Sequence, residues 1–187
     1  MSLKQKTISA ILWSSVEKVG LQVIQFTIGI IMARVLFPND YGLIGVLAIF
    51  FAVTQLFVDG GFSEALVQNK KADRTDFSTI FFFNICIGIF FFLVLFFSAP
   101  LIADFFKESR LVNLTRFMAF NLLIVSFGLI QNTKFRKNID FKSMAKVRLI
   151  SVLMSGIIGV TLAYMEFGVW SLAIQQVTNQ LFTTVCL

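Results

Sequence analysis

Residues 77–99 read FSTIFFFNICIGIFFFLVLFFSA, with one amide and no charge in the whole stretch. Coiled as a helix at about 1.5 Å per residue, such a run is long enough to cross the roughly 30 Å hydrocarbon layer of a bilayer. Hydrocarbon offers the backbone no hydrogen-bond partner, so a spanning segment without a closed barrel has to be helical. Working outward, five further apolar blocks appear. They run from Ile8 to Val35, Tyr41 to Asp59, Phe117 to Ile130, Leu149 to Tyr164, and Val169 to the last residue. With flanking residues added, the predicted helices cover residues 8–35, 41–60, 77–99, 115–133, 148–165 and 168–187. The fold class is an all-α polytopic membrane protein of six spans.

Composition agrees. The 187 residues are 57% apolar and include 24 Phe, while charged residues make up 14%, against about a quarter in soluble domains. A soluble chain of this size has no way to bury so much apolar surface. The net charge of +6 does not point to nucleic acid, because the cations lie in clusters between apolar blocks. There is no histidine, and Cys86 and Cys186 both sit inside apolar segments. Neither a structural metal, nor a disulfide framework, nor a bound cofactor is expected. No Walker lysine motif, GxSxG elbow or aqueous carboxylate pair occurs, so neither hydrolysis nor phosphoryl transfer is expected. Polar residues interrupt the first apolar block behind Lys4 and Lys6, which argues against a cleaved signal peptide.

The cations also set an orientation. Lys4, Lys6, Lys70, Lys71, Arg74, Lys134, Arg136, Lys137, Lys142, Lys146 and Arg148 fall on one side of the alternating spans. Arg34, Lys107, Arg110 and Arg116 fall on the other. The positive-inside rule then places the N-terminus in the cytoplasm. The last block is still apolar where the sequence stops, so the intact gene is expected to be about twice this length or more, as in two-half transporters.

Polarity enters the membrane mainly on the first helix. At 100° per residue, Ser14, Ser15, Lys18, Gln22, Gln25 and Gly29 fall within about 100°, and the opposite face is apolar. Such a face meets either protein and a water-filled cavity, or the cytoplasmic interface with Lys18 snorkelling. Lys18 is the first candidate for a phosphate or diphosphate contact. Glu17 diverges from Lys18 by 100°, which suits pairing with another helix or ion coupling. Asp59 is a candidate for inter-helix pairing, next to the helix-breaking Gly60-Gly61. Arg34 ends the first helix as a headgroup anchor or a substrate contact. In the sixth block, Gln175, Gln176, Thr178, Asn179 and Gln180 are too many polar groups for a lipid face. Gln175 and Asn179 would bind sugar hydroxyls in a cavity or bind helices to each other. Asn121, Gly128 and Asn132 share one face of the fourth span, and Ser151, Ser155 and Gly159 form a small-residue packing stripe on the fifth. Residues 134–148 carry six cations among Phe135, Ile139, Phe141 and Met144, which suits an ordinary inner loop or contact with anionic lipids.

Two short echoes hint at a repeated helical hairpin. Asp40-Tyr41-Gly42-Leu43 parallels Glu166-Phe167-Gly168-Val169, and Gln68-Asn69-Lys70-Lys71 parallels Gln131-Asn132-Thr133-Lys134. Regular helix spacing explains them equally well.

Longer blocks carry a family resemblance. They are Ala33-Arg34-Val35-Leu36-Phe37-Pro38-Asn39-Asp40-Tyr41-Gly42-Leu43 and Phe57-Val58-Asp59-Gly60-Gly61-Phe62-Ser63-Glu64-Ala65-Leu66-Val67-Gln68. Asp76-Phe77-Ser78-Thr79, Ala99-Pro100-Leu101-Ile102-Ala103 and Phe167-Gly168-Val169-Trp170-Ser171-Leu172 follow in order. Together they resemble the start of a bacterial polysaccharide or lipopolysaccharide biosynthesis flippase, within the superfamily that includes multidrug extruders. The family usually has glycine where Phe37 stands. The resemblance implies the six-helix N-terminal lobe of a two-lobe, multidrug-extruder-like transporter, with the C-terminal lobe absent from this chain. It implies an inner-membrane protein that moves an undecaprenyl-diphosphate-linked oligosaccharide between leaflets, coupled to membrane potential or a cation gradient. Implied partners are the polyprenyl-linked glycan, the C-terminal lobe, membrane lipids, and glycan polymerase or glycosyltransferases, with no nucleic acid. Competing readings are a small-molecule exporter of the same superfamily and a non-transporting scaffold of a glycan assembly complex.

Overall fold

The computed structural model describes residues 3–59, 74–137 and 141–186. Within them, side-chain surroundings are described except at residues 3–17, 59, 74–76, 130–131, 134–137 and 141–142. Six helices account for these segments: α1 (Leu3–Val35), α2 (Pro38–Asp59), α3 (Arg74–Phe106), α4 (Arg110–Lys137), α5 (Phe141–Tyr164) and α6 (Val169–Cys186). The chain is an all-α polytopic membrane protein. Five helices, α1 to α5, are long and apolar enough to span a bilayer. The sixth, expected as a span, is less apolar because Gln175, Gln176, Asn179 and Gln180 fall within its 18 residues.

The helices outrun the apolar blocks that announced them. α3 continues seven residues beyond Ala99, passing Pro100 without ending. Proline has no N–H to offer the preceding turn, a loss tolerated where neighbouring groups re-satisfy the backbone. α4 begins at Arg110, five residues before the expected start at 115, so Arg116 lies well inside the spanning segment.

Two tight turns face the same end of the molecule. Glu108 N–H donates to the Ala103 carbonyl at 3.0 Å and Lys107 N–H to the Asp104 carbonyl at 3.2 Å. Phe167 N–H donates to the Leu162 carbonyl at 3.1 Å and Glu166 N–H to the Ala163 carbonyl at 3.0 Å. Both patterns are Schellman caps, which satisfy the last helical carbonyls through one left-handed residue. That residue is usually glycine, but here it is Lys107 (φ 54°) and Glu166 (φ 63°). The short α5–α6 turn adds Gly168 at φ 56°, where a side chain would be strained.

Packing follows a chain of neighbours, α3 on α4, α4 on α6, α6 on α5 and α5 on α1, with α2 touching α3, α4 and α6. Water does not drive helix association inside a bilayer, so close van der Waals fit does. The main core joins Leu43 and Leu47 of α2, Leu95 and Ile102 of α3, Leu114, Met118 and Leu122 of α4, and Ala173 of α6. A second cluster joins Met32 and Leu36 at the end of α1 to Ala163 and Leu172. Glycines set the closest approaches. A Cβ at Gly88 would stand 2.0 Å from Ser126 Oγ, and one at Gly128 2.6 Å from Thr184 Oγ1. The Ser151, Ser155 and Gly159 stripe is buried, and a Cβ at Gly159 would stand 2.8 Å from the Gln175 Cβ. It lies at a close α5–α6 contact, as small residues at four-residue spacing permit.

Candidate functional site

The polar face of α1 is exposed. Lys18, Gln22, Gln25 and Gly29 all lie on the open side of the helix. The side turned towards α5 carries Gly20 against Leu149 and Ile28 against Gly156. The polar groups form one strip of a surface that the described helices leave uncovered, beside the equally open Val19, Val23, Phe26 and Ile30. Lys18 lies inside the apolar block that starts at Ile8, with Gln22 and Gln25 one and two turns further along the helix. Arg34 is exposed in the last turn, where a cation complements the helix dipole. Sixteen residues separate Lys18 from Arg34, or about 24 Å along the axis. One compact diphosphate cannot touch both at once.

The amides of α6 divide between surroundings. Gln176 is exposed. Gln175 and Asn179 are half-buried, and Gln175 packs against Gly159 of α5. The antiparallel register fixed by that contact brings Asn179 level with Ser155. Asn179 Oδ1 and Ser151 Oγ are both buried without a hydrogen-bond partner. Gln180 donates to Thr184 Oγ1 at 3.5 Å, and Thr184 donates in turn to the Ile124 carbonyl of α4 at 3.3 Å. Gln175 and Asn179 thus sit towards the α5 seam, while Lys18, Gln22 and Gln25 occupy the open face of α1. The backbone of Glu17 and Asp59 is helical, but their side chains lie outside the described set, as do residues 60–73.

At the end opposite Lys18, an ionic cluster forms that sequence spacing does not announce. Asp40, 6% exposed in the first turn of α2, faces Arg110 of α4 at 3.8 Å. Arg110 Nε donates to Glu108 at 2.9 Å. That hydrogen bond, with the guanidinium charge behind it, lowers the Glu108 carboxyl below its ordinary range. A Cβ on Gly168 would stand 3.7 Å from both Asp40 carboxylate oxygens. Asp40 therefore lies near the start of α6 as well as in its own first turn, and a carboxylate suits both positions. The two segments of the first echo, Asp40-Tyr41-Gly42-Leu43 and Glu166-Phe167-Gly168-Val169, lie close together here, but not in equivalent roles. Gly42 lies within α2, whereas Gly168 precedes α6 with positive φ.

Two other polar groups escaped sequence reading. Asn84 is fully buried on α3, one turn from Gly88, with neither amide atom hydrogen-bonded. Arg116 lies over the Phe96 ring at 4.8 Å, its Nε buried and unpaired. An isolated Asn in an apolar run carries no periodic signal. Arg116 falls within the helix expected over residues 115–133, and what the sequence does not give is its place over Phe96.

Comparison with known proteins then bears on identity. A family described as "Polysaccharide biosynthesis protein" matches residues 31–187. An uncharacterized membrane protein in the cps region of Klebsiella pneumoniae is 28% identical over 153 residues, covering 82% of this chain and 32% of that protein. The teichuronic acid biosynthesis protein TuaB of Bacillus subtilis (strain 168) is 27% identical over 180 residues, covering 96% and 37%. The lipopolysaccharide biosynthesis protein WzxC of Escherichia coli (strain K12) is 24% identical over 184 residues, covering 97% and 36%. The chain spans about a third of the length of these relatives. No solved structure matches it. With most of its length matched and its helices arranged as a membrane protein requires, the chain belongs to the polysaccharide biosynthesis protein family.

Proposed function

We propose that this chain is the first six-helix lobe of a flippase that moves a polyprenyl-diphosphate-linked oligosaccharide across the bacterial inner membrane. The observation that carries the reading is the open polar face of α1, with Lys18, Gln22 and Gln25 on an otherwise apolar spanning helix. A glycan head group cannot enter hydrocarbon without losing its hydration. A second lobe facing α1 would enclose a cavity in which amides and a few cations replace that water, while the lipid tail stays in the bilayer. Lys18 and Arg34, about 24 Å apart, would serve as successive stations for the diphosphate as the cavity opens to one side and then the other. The excess of cations on the Lys18 side puts that end in the cytoplasm. No bond is made or broken, so the protein acts as a transporter without a catalytic residue or cofactor. Membrane potential or a cation gradient would supply the direction.

The test uses the intact gene in its native bacterium. Its deletion is expected to leave a polyprenyl-diphosphate oligosaccharide in the lipid extract, identified by mass spectrometry and cleared by the wild-type copy. A Lys18→Ala copy, expressed at wild-type level, is expected not to clear it. No accumulation, with surface polysaccharide intact and no redundant transporter, overturns the reading in favour of a small-molecule exporter.

A further inference from the structure

Arg116 is a cation in an apolar place. It lies six residues into α4, about 9 Å below the start of the helix, within the spanning segment Arg110–Leu129. Its surroundings are aromatic. The guanidinium carbon is 4.8 Å from the Phe96 ring centre, Phe96 is 5.7 Å from Phe92, and Phe92 is 5.1 Å from Phe120. On α4, Arg116 stands at the margin of the open face that carries Asn113, Phe120 and Phe127, opposite the buried Leu111, Met118 and Leu122. No described carboxylate pairs with it, and its Nε is buried without an acceptor. A charge at membrane depth without a counter-ion is costly, and Phe96 offers only part of the compensation.

Three features say what completes it. Arg116 lies about 9 Å from the Arg110 end, a depth from which a long arginine side chain can snorkel to the headgroup layer of that leaflet. Asn113, exposed three residues earlier, stands on the same path with an amide to offer. Half-buried Phe92 and Phe96 with exposed Phe120 and Phe97 form a wall suited to acyl chain and hostile to water. We propose that the outer surface of the α3–α4 seam binds one anionic phospholipid, its phosphate held by Arg116 and its chain laid along Phe92, Phe96 and Phe120. The site is distinct from the polar face of α1, since α3 and α1 lie at opposite ends of the order of packed helices. It depends on neither the flippase reading nor the orientation.

Native mass spectrometry of the detergent-purified protein, titrated with phosphatidylglycerol or phosphatidylcholine, tests this. Wild type is expected to retain phosphatidylglycerol in preference to phosphatidylcholine. Arg116→Gln is expected to retain about tenfold less phosphatidylglycerol, as loss of charge-assisted bonds predicts. Phe96→Leu leaves every charge in place and is expected to weaken retention by about threefold through the lost ring contact. Lys107→Gln removes a charge from the exposed α3–α4 turn and is expected to change nothing. Equal phosphatidylglycerol retention by wild type and Arg116→Gln would overturn the proposal, as would an equal loss in Lys107→Gln. Displacement of the lipid by millimolar inorganic phosphate would also overturn it, because the site would then be a water-open anion pocket. If Arg116→Gln does not yield folded protein, unchanged retention by Phe96→Leu overturns the proposal.

Discussion

Replacing Gly88 with alanine places a methyl carbon 2.0 Å from Ser126 Oγ, 3.0 Å from Ser126 Cβ and 3.5 Å from the Leu122 carbonyl oxygen. Rotating the Ser126 hydroxyl relieves the first contact only. It also breaks the 2.8 Å hydrogen bond from that hydroxyl to the Leu122 carbonyl, worth about 1 kcal/mol. The carbon–carbon contact remains, so α3 and α4 must part by some tenths of an ångström, and overpacking of this kind costs about 1–3 kcal/mol. Alanine's better helix propensity offsets at most about 1 kcal/mol. The net loss of about 1–3 kcal/mol corresponds to roughly 2–12 °C in thermal midpoint for a chain of this size. Gly29→Ala is the control, because a Cβ there meets nothing within 4 Å. The assay is the thermal midpoint of detergent-solubilised protein, read by size-exclusion recovery after heating. Adding Ser126→Gly to Gly88→Ala removes both obstructing atoms and is expected to recover most of the loss relative to Ser126→Gly alone, giving a coupling of about 1 kcal/mol or more. A Gly88→Ala midpoint equal to that of Gly29→Ala, or a double variant no better than the single, would refute the packing argument.

Three further outcomes follow from named residues. Glu166→Gly is expected to raise the same midpoint, because it relieves a left-handed residue and removes an anion from the C-terminal end of α5, together worth about 1 kcal/mol. Asn84→Leu is also expected to raise it, by the equivalent of about 1–2 kcal/mol, since a buried amide with both atoms unpaired gives way to a side chain of similar size; a fall would mean that Asn84 has a partner in the folded protein. The Glu108 carboxyl is held below its ordinary value of 4.5 by Arg110, so the pair adds stability above that pH and loses it as pH falls through the lowered value. Midpoints of wild type and Glu108→Gln, compared across pH, are expected to differ slightly at neutral pH and to converge in acid.

What the sequence disclosed and what it withheld divide along the range of the forces involved. Spans are local, and the apolar stretch around Phe81–Phe83 and Phe90–Phe92 fixes a membrane helix with no help from elsewhere in the chain. The polar face of α1 is also local, because a period of 100° is written into Lys18, Gln22, Gln25 and Gly29. Ends of helices were less legible. Residues 110–114 lie outside the expected helix, yet they belong to α4, since caps and backbone bonds decide where a helix starts. Arg116, expected at a helix end, therefore lies deeper in the span. The Asp40–Arg110 pair joins positions 70 residues apart, and no spacing rule links them before the helices are packed.

The same division separates the two kinds of cation in the structure. Arg110 has carboxylates beside it and is spent on holding the ends of α2 and α4 together. Arg116 has none among the described residues, and Lys18 and Arg34 stand on open surface. A cation kept near hydrocarbon without an internal counter-ion stabilises the protein only when an anion arrives from outside the chain. The outer surface of the α3–α4 seam and the open face of α1 supply two such places with different walls, phenylalanine around Arg116 and glutamine beside Lys18. Acyl chain suits the first wall, and a hydrated head group suits the second. Substituting Arg116 should therefore change which lipid the protein retains, whereas substituting Lys18 should change which lipid the cell accumulates.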